Sequence, residues 1–333
     1  MAAKRFVTVH GPGGAGKTTA AVAVGHAQLA SFEGAVHFLD LGQVSEARLL
    51  PAALGQLFGL SIQSGDPVAE LLAFLNDRRI LLIFDSCEHL IEPVAVMAER
   101  IFHEAPQVSI LATSREILRV QGEHVYRLSA LGCPGQADER SAERVLAFAA
   151  PRLFVERVVA SGYHFELTDN NALAVAEICR KLDGLALAIN VAAAQVGTFG
   201  LGEIACSLET RVWLLWRGRR TALPRHQTIA ATLDWSYNLL SEAERAVLRR
   251  LSVFQGVFTL DEAMREIAHQ SAYDPSSDLH TIDTLIAKSL ISFEVSNGVT
   301  FYRLLNSTRT YALEKFQHRD RFDGVAVGML GLP

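Results

Sequence analysis

Phe6-Val7-Thr8-Val9-His10-Gly11-Pro12-Gly13-Gly14-Ala15-Gly16-Lys17-Thr18-Thr19 is the stretch whose reading decides the fold. Gly11 to Thr18 satisfies the phosphate-loop pattern GxxxxGK[ST] at every fixed position. The context agrees, because a β-branched apolar run leads in and the Ala-rich segment Thr18–Ala30 leads out. The glycines, Gly11, Gly13, Gly14 and Gly16 around Ala15, let the backbone curl until successive N–H groups point inward at phosphate oxygens. The start of the following helix, through Thr18 and Thr19, adds partial positive charge. Lys17 is then expected on the β- and γ-phosphates, and the Thr18 hydroxyl on Mg²⁺.

Outward from this loop, apolar β-rich runs recur at Ala35–Leu39, Ile80–Phe84, Val108–Ala112 and Val125–Leu128. The helical segments Glu46–Phe58, Val68–Asn76 and Val94–Phe102 lie between them. Strands alternating with helices, with Ile80–Phe84 apolar throughout, predict an α/β fold with a doubly wound parallel sheet covered on both faces. Leu131–Gln136 reads as a linker. Helical spacing then takes over at Glu143–Ala160, Thr168–Leu182 and Leu185–Val196, with Thr168-Asp169 as an N-cap and Gly184 as a break. The basic stretch from Trp216 to Pro224 marks a second boundary. Helices near Ile229–Leu239, Ser241–Leu251, Leu260–His269 and Asp278–Leu290 follow, then strands Ile291–Val295 and Thr300–Leu304 joined at Asn297-Gly298. That order describes a winged helix. The expected organisation is a P-loop domain over 1–132, a small helical lid over 138–210, a winged-helix domain over 222–316 and a tail over 317–333.

Composition limits the alternatives. The chain has 333 residues, half of them hydrophobic, with 31 Lys+Arg against 36 Asp+Glu and a net charge of −5. It is long enough for about two domains with full cores and is not disordered, collagen-like or polybasic. A weakly acidic total makes no electrostatic case for nucleic acid as the main partner. Lys4-Arg5 is followed by four strand residues and then glycines, which is no secretory signal, and Asn190 and Gln195 interrupt the longest apolar stretch, so no membrane association is expected. Cys87, Cys133, Cys179 and Cys206 form no CxxC pair and read as thiols of a reducing cytoplasm. The 11 histidines show no HExxH spacing.

A phosphate-bound Mg²⁺ asks for a further carboxylate from a neighbouring strand. Asp85 supplies it at the end of the apolar run Ile80–Phe84, with a strand-end cap as the plainer reading. Glu88 could polarise an attacking water or simply be a surface acid at a helix start. Arg115, after Thr113-Ser114 at the end of the next strand, is placed either to read a γ-phosphate or to form a surface ion pair.

With these residues in view, the chain resembles the STAND signal-transduction ATPases, relatives of the NB-ARC and AP-ATPases, and in particular the ATPase regions of bacterial transcriptional regulators. The resemblance rests on His10–Thr19, Leu81–Leu90, Ala112–Glu116, Gly122–Leu128, Arg152–Arg157, Leu182–Ala188 and Thr232–Tyr237, in the family's order. It implies a nucleotide switch in which an α/β domain, a helical lid and a winged helix close around ATP or ADP with Mg²⁺. Slow hydrolysis would set nucleotide state, which in turn would control a protein partner or self-association. It maps the family's sensor arginine to Arg115 and its GLPLA motif to Gly184–Ala188, with Leu185 and Ala186 near the adenine end.

Several positions depart from the family. Ser86 stands where Asn is usual, Ala186 replaces the motif's proline, and Asn306 replaces Glu in the string Tyr302–Arg309. Only Met1–Arg5 stands where relatives carry an adenine-side segment, which raises the alternative of a nucleotide-binding remnant with little hydrolysis. A second alternative is a DNA-binding transcription factor acting through Ile229–Leu304 with Arg217–Arg225 on the phosphates. Against it, Asp234, Glu242, Glu244, Asp261 and Glu262 offset those arginines, so direct DNA contact by this chain is not expected.

Overall fold

The five β-rich runs of the first part of the chain form β1 (Phe6–His10), β2 (Val36–Asp40), β3 (Leu81–Asp85), β4 (Ser109–Ser114) and β5 (His124–Arg127). A computed structural model describes residues 4–60, 66–209, 216, 227–268, 275–296 and 298–329. All pairings of these strands are parallel, and the sheet order is β2-β3-β4-β1-β5. The helices between them are α1 (Lys17–Gln28), α2 (Leu50–Leu57), α3 (Pro67–Leu75) and α4 (Ile91–Glu104). The chain divides into two units, one of Met1–Pro12 with Gly16–Ser129, the other of Gly13–Ala15 with Ala130–Pro333.

In the first unit the strand period of two sends alternate residues to opposite faces. Phe6, Leu82, Phe84, Ile110 and Ala112 pack with buried leucines of α2 and α3 and with Val94 and Ile101 of α4. Val7, Val9, Leu81, Ile83 and Leu111 pack with Ala21 of α1. Burial on both faces is why β3 tolerates no polar residue before its last position. The segment expected as one helix over Glu46–Phe58 is a 3₁₀ turn at Ala47–Leu49 followed by α2, because Pro51 sits in the first turn of the α-helix and starts it anew.

The second unit opens with α5 (Ala142–Leu146), α6 (Ala149–Ala160), α7 (Asp169–Lys181), α8 (Ala186–Ala193) and α9 (Val196–Ser207). The expected helix Glu143–Ala160 is two helices. Pro151 has no N–H, and its ring would collide with the carbonyl of Ala147, so the helix breaks at Ala147–Phe148. Thr168 does begin α7, with the Asn171 side chain accepting from the Thr168 N–H at 2.8 Å. The helix α9 was not expected, and the left-handed Gly200 (φ 71°) interrupts it. Phe154, Val175, Ile178, Ile189 and Val191 centre this core.

The same unit continues with α10 (Ile229–Asn238), α11 (Glu242–Leu251), α12 (Leu260–Ala268), α13 (Pro275–Ala287), the antiparallel β6 (Ile291–Ser296) and β7 (Val299–Leu304), and α14 (Asn306–Met329). Helices followed by a two-stranded wing are the expected winged helix. Leu248, Leu251, Phe258 and Leu285 form its core. The Tyr311 hydroxyl donates to Asp234 of the Thr232–Tyr237 string, and Lys315 approaches the same carboxylate at 3.3 Å, tying α14 to α10. The basic stretch Arg217–Arg225 and Asn297 of the wing turn lie outside the described residues.

Asp183, just after α7, ties that helix to the winged helix within this unit. Its side chain is 1% exposed, its backbone is left-handed (φ 54°), and one carboxylate oxygen accepts the Asn306 N–H at 2.6 Å at the start of α14. Burial pushes this carboxyl up to about 7, opposed by Arg303 at 4.0 Å and by the backbone N–H groups of Asn306 and Ser307, while Cys133 lies in the same electrostatic neighbourhood. The folded chain therefore holds this proton more tightly than the unfolded chain. The stabilisation is complete below the unfolded value near 4 and is lost as pH rises towards about 7. Asparagine tolerates the left-handed backbone, so Asp183→Asn is expected to flatten the fall in stability across that window, worth on the order of 4 kcal/mol at most. Chemical denaturation of both proteins between pH 4.5 and 7.5 measures it, and equal pH slopes would refute it.

Candidate functional site

The strands β3, β4 and β1 are neighbours, so the segments leaving their C-terminal ends share one edge of the sheet. The registers fix the levels: His10 lies opposite Ser114, and Phe84 opposite Ala112. The loop after β1 turns through left-handed Gly14 (φ 79°) and Gly16 (φ 104°), conformations that favour glycine. A Cβ on Gly11 would lie well inside 3 Å of the Leu128 carbonyl oxygen, so this first position has no room for a side chain.

Lys17 folds over its own loop, with Nζ donating to the carbonyls of Gly11 (2.8 Å) and Pro12 (3.0 Å). Burial pulls this ammonium down to about 8, with Arg115 acting in the same direction and Glu88 and Asp85 opposing. The neighbouring Thr18 hydroxyl lies 2.8 and 3.0 Å from the two carboxylate oxygens of Asp85.

Asp85 is 1% exposed at the end of β3. Besides Thr18 it accepts from the Thr113 hydroxyl at 2.6 Å and from the Ser86 hydroxyl at 3.3 Å. Burial pushes its carboxyl above the usual range, and the Thr113 and Thr18 hydroxyls pull it back. Ser86 takes the left-handed conformation (φ 62°), which asparagine adopts more readily.

Glu88 and Arg115 form an ion pair, Oε1 to Nε 3.5 Å, with both side chains 9% exposed. Neither is the surface residue of the plainer readings. Lys17 and Arg115 thus lie beside Asp85 and Glu88, with Asp40, Glu123 and Arg127 in the same electrostatic neighbourhood. Among the described residues no group of three or more His, Cys, Asp or Glu is arranged for a metal. One hydroxyl and one carboxylate, held together as Thr18 and Asp85 are, fit a hard divalent cation that keeps waters and phosphate oxygens as its other ligands.

The first unit therefore brings together Gly11, Gly16, Lys17, Thr18, Asp85, Glu88 and Arg115, while Thr19 is exposed on α1. Gly13, Gly14 and Ala15 group with the second unit, where the Leu187 N–H donates to the Gly14 carbonyl at 3.0 Å. Leu185 and Ala186 belong to that unit too, as the N-cap and first residue of α8. Sequence reasoning did not single out Thr113 as the partner of Asp85. The available signal was the hydroxyl pair Thr113-Ser114 closing a strand whose centre, Ile110–Ala112, is apolar.

The winged helix-turn-helix domain family matches residues 240–317. The "Putative HTH-type transcriptional regulator Rv0890c" of Mycobacterium tuberculosis is 36% identical over 340 residues, which cover 99% of this chain and 37% of that protein. The chain thus spans little more than a third of the length of that relative. The "Uncharacterized protein Rv0894" of the same species is 35% identical over 97% of this chain and 79% of its own length. Among solved structures, the Walker-type ATPase paby2304 of Pyrococcus abyssi superposes with a TM-score of 0.59 at 13% identity, covering 94% of this chain and 92% of that one. The Aeropyrum pernix ORC2 protein, solved as ADPNP-ADP complexes, gives 0.51 at 11% identity, covering 95% and 89%.

Proposed function

This chain belongs to the same family as the Rv0894 protein and has the fold of the P-loop ATPases, and from that premise we propose that it is a STAND-class ATPase, an ATP- and ADP-binding regulatory switch with slow ATP hydrolysis. The observation that carries the reading is the Thr18–Asp85 pairing beside Lys17, at the mouth of a loop built to hold phosphate. The ADPNP-ADP complexes of a protein with the same fold support nucleotide as the ligand. In this reading residues 1–132 hold the phosphates, 138–210 form a lid carrying Leu185 and Ala186 towards the adenine, and 222–316 form the winged helix that reports nucleotide state.

Each residue then has one task. The backbone N–H groups of Gly13, Gly14, Ala15 and Gly16, with those of Lys17, Thr18 and Thr19 at the start of α1, cradle the phosphates. Lys17 exchanges its two loop carbonyls for phosphate oxygens, Arg115 engages the γ-phosphate, and Glu88 orients the attacking water. Thr18 and Asp85 would hold Mg²⁺, which supplies charge neutralisation on the phosphates. The relative named as a transcriptional regulator supports a regulatory role. In this reading that role is cytoplasmic and acts through a protein partner or self-association. Direct DNA binding by this chain is the weaker reading, because Asp261, Glu262, Glu266, Asp274, Asp278 and Asp283 outnumber Arg265 and Lys288 over residues 260–288.

Calorimetric titration tests the site. The protein is expected to bind Mg-ATP, and Asp85→Asn to weaken it roughly tenfold while leaving magnesium-free ATP nearly unaffected. Equal affinities with and without magnesium in the wild type would overturn the assignment of Thr18 and Asp85.

A further inference from the structure

Glu88 and Arg115 stand 27 residues apart, after neighbouring strands, and the fold buries both in one ion pair. From this contact we infer that Glu88 is a specificity-determining residue: it occupies Arg115 in place of the third phosphate and yields it only to ATP. The inference rests on the nucleotide reading above and adds a competition that the reading does not contain.

The physical argument begins with burial. An exposed ion pair opens at little cost, but with both side chains 9% exposed neither charge can be left alone. Another anion is therefore the favoured replacement when Arg115 leaves Glu88. The loop N–H groups and Lys17 suffice for two phosphates, so ADP leaves the pair intact. A γ-phosphate brings the negative charge that replaces the carboxylate, and binding ATP includes the work of opening the pair. At rest Lys17 and Arg115 lie beside the carboxylates Asp85 and Glu88, so an arriving phosphate competes with Glu88 for Arg115.

The same exchange frees Glu88. A carboxylate held by a guanidinium is a poor proton acceptor, and release restores its basicity beside the γ-phosphate. Water then adds to the γ-phosphorus as the bond to the bridging β-oxygen breaks and ADP keeps the electron pair. Glu88 takes the water proton and returns it to solvent. Departure of inorganic phosphate lets the ion pair close again. The base thus becomes available only when a third phosphate is present.

The test compares the full chain with Glu88→Gln and Arg115→Ala, measuring Mg-ATP and Mg-ADP affinities by calorimetry and phosphate release at saturating ATP. Glu88→Gln is expected to bind Mg-ATP about tenfold more tightly, keep its Mg-ADP affinity and lose phosphate release. Arg115→Ala is expected to abolish the wild type's discrimination between the two nucleotides. Glu88→Asp keeps the charge but withdraws it by one methylene, and it should shift the ATP-to-ADP ratio in the same direction by less; it serves if the Gln variant does not fold. An unchanged affinity ratio in Glu88→Gln, with phosphate release alone reduced, would overturn the competition and leave Glu88 as a water-orienting residue. Equal weakening of both nucleotides would overturn it too, as the mark of a structural role. Binding of neither nucleotide by the wild type would sink the nucleotide reading itself, and the competition with it.

Discussion

Lys17→Ala is expected to weaken Mg-ATP binding roughly 100-fold, the worth of charge-assisted hydrogen bonds to two phosphate groups. Arg115 does not make good the loss, because its place is on the γ-phosphate alone and it must first leave Glu88. The expected effect on the nucleotide-free protein has the opposite sense. Burial pulls the ammonium down to about 8, so its charge opposes folding at neutral pH, and that opposition fades as pH rises from about 8 towards the unfolded value of 10.5. The two bonds to Gly11 and Pro12 offset part of it. The variant should therefore melt no lower than the wild type at pH 7 without nucleotide, yet gain little on adding Mg-ATP, where the wild type is stabilised by mass action. Melting curves with and without 1 mM Mg-ATP decide the matter. A variant that melts several degrees lower on its own would show Lys17 to be a structural residue.

Gly184→Ala is the substitution with the largest expected effect on stability. The residue is left-handed (φ 65°), and a Cβ would lie well inside 3 Å of the Leu131 carbonyl oxygen. Leu131 cannot easily retreat, since its N–H donates to the Gly184 carbonyl at 2.9 Å. Asp183, just before it, is itself left-handed and bound to the start of α14. A methyl here meets both backbone strain and collision, for a loss of about 3 kcal/mol or more. Urea denaturation measures it, and a loss below about 1 kcal/mol would mean that the Leu131 segment shifts freely.

What could be read in advance follows the range of the interactions. The phosphate loop, the all-apolar β3 and the wing hairpin are local patterns, and their bounds fell within one or two residues of the expected ones. The breaks at Pro51 and Pro151 were also written locally, but the apolar spacing around each proline masked them. The helix α9 escaped because Gly197, Gly200 and Gly202 argue against helix by propensity, and tertiary packing of Val196 and Ile204 overrides them. In the site, Lys17, Thr18 and Asp85 were legible as types at known spacing. The pairing of Glu88 with Arg115 and of Asp183 with Asn306 was not, since 27 and 123 residues separate the partners and only sheet order and helix docking bring them together.

The sheet order also governs how this protein is made. Of the strands of this sheet β1 is made first, yet its neighbours are β4 and β5, which begin at Ser109 and His124. Synthesis must run for roughly a hundred further residues before Val7 and Val9 have a partner, at 5–20 residues per second. During that interval an apolar strand with open hydrogen bonds hangs from a glycine-rich loop, and no phosphate site can exist until the sheet closes around it. Between the synthesis of β1 and that of β4 the nascent chain thus carries an unpaired apolar strand, a feature that favours aggregation.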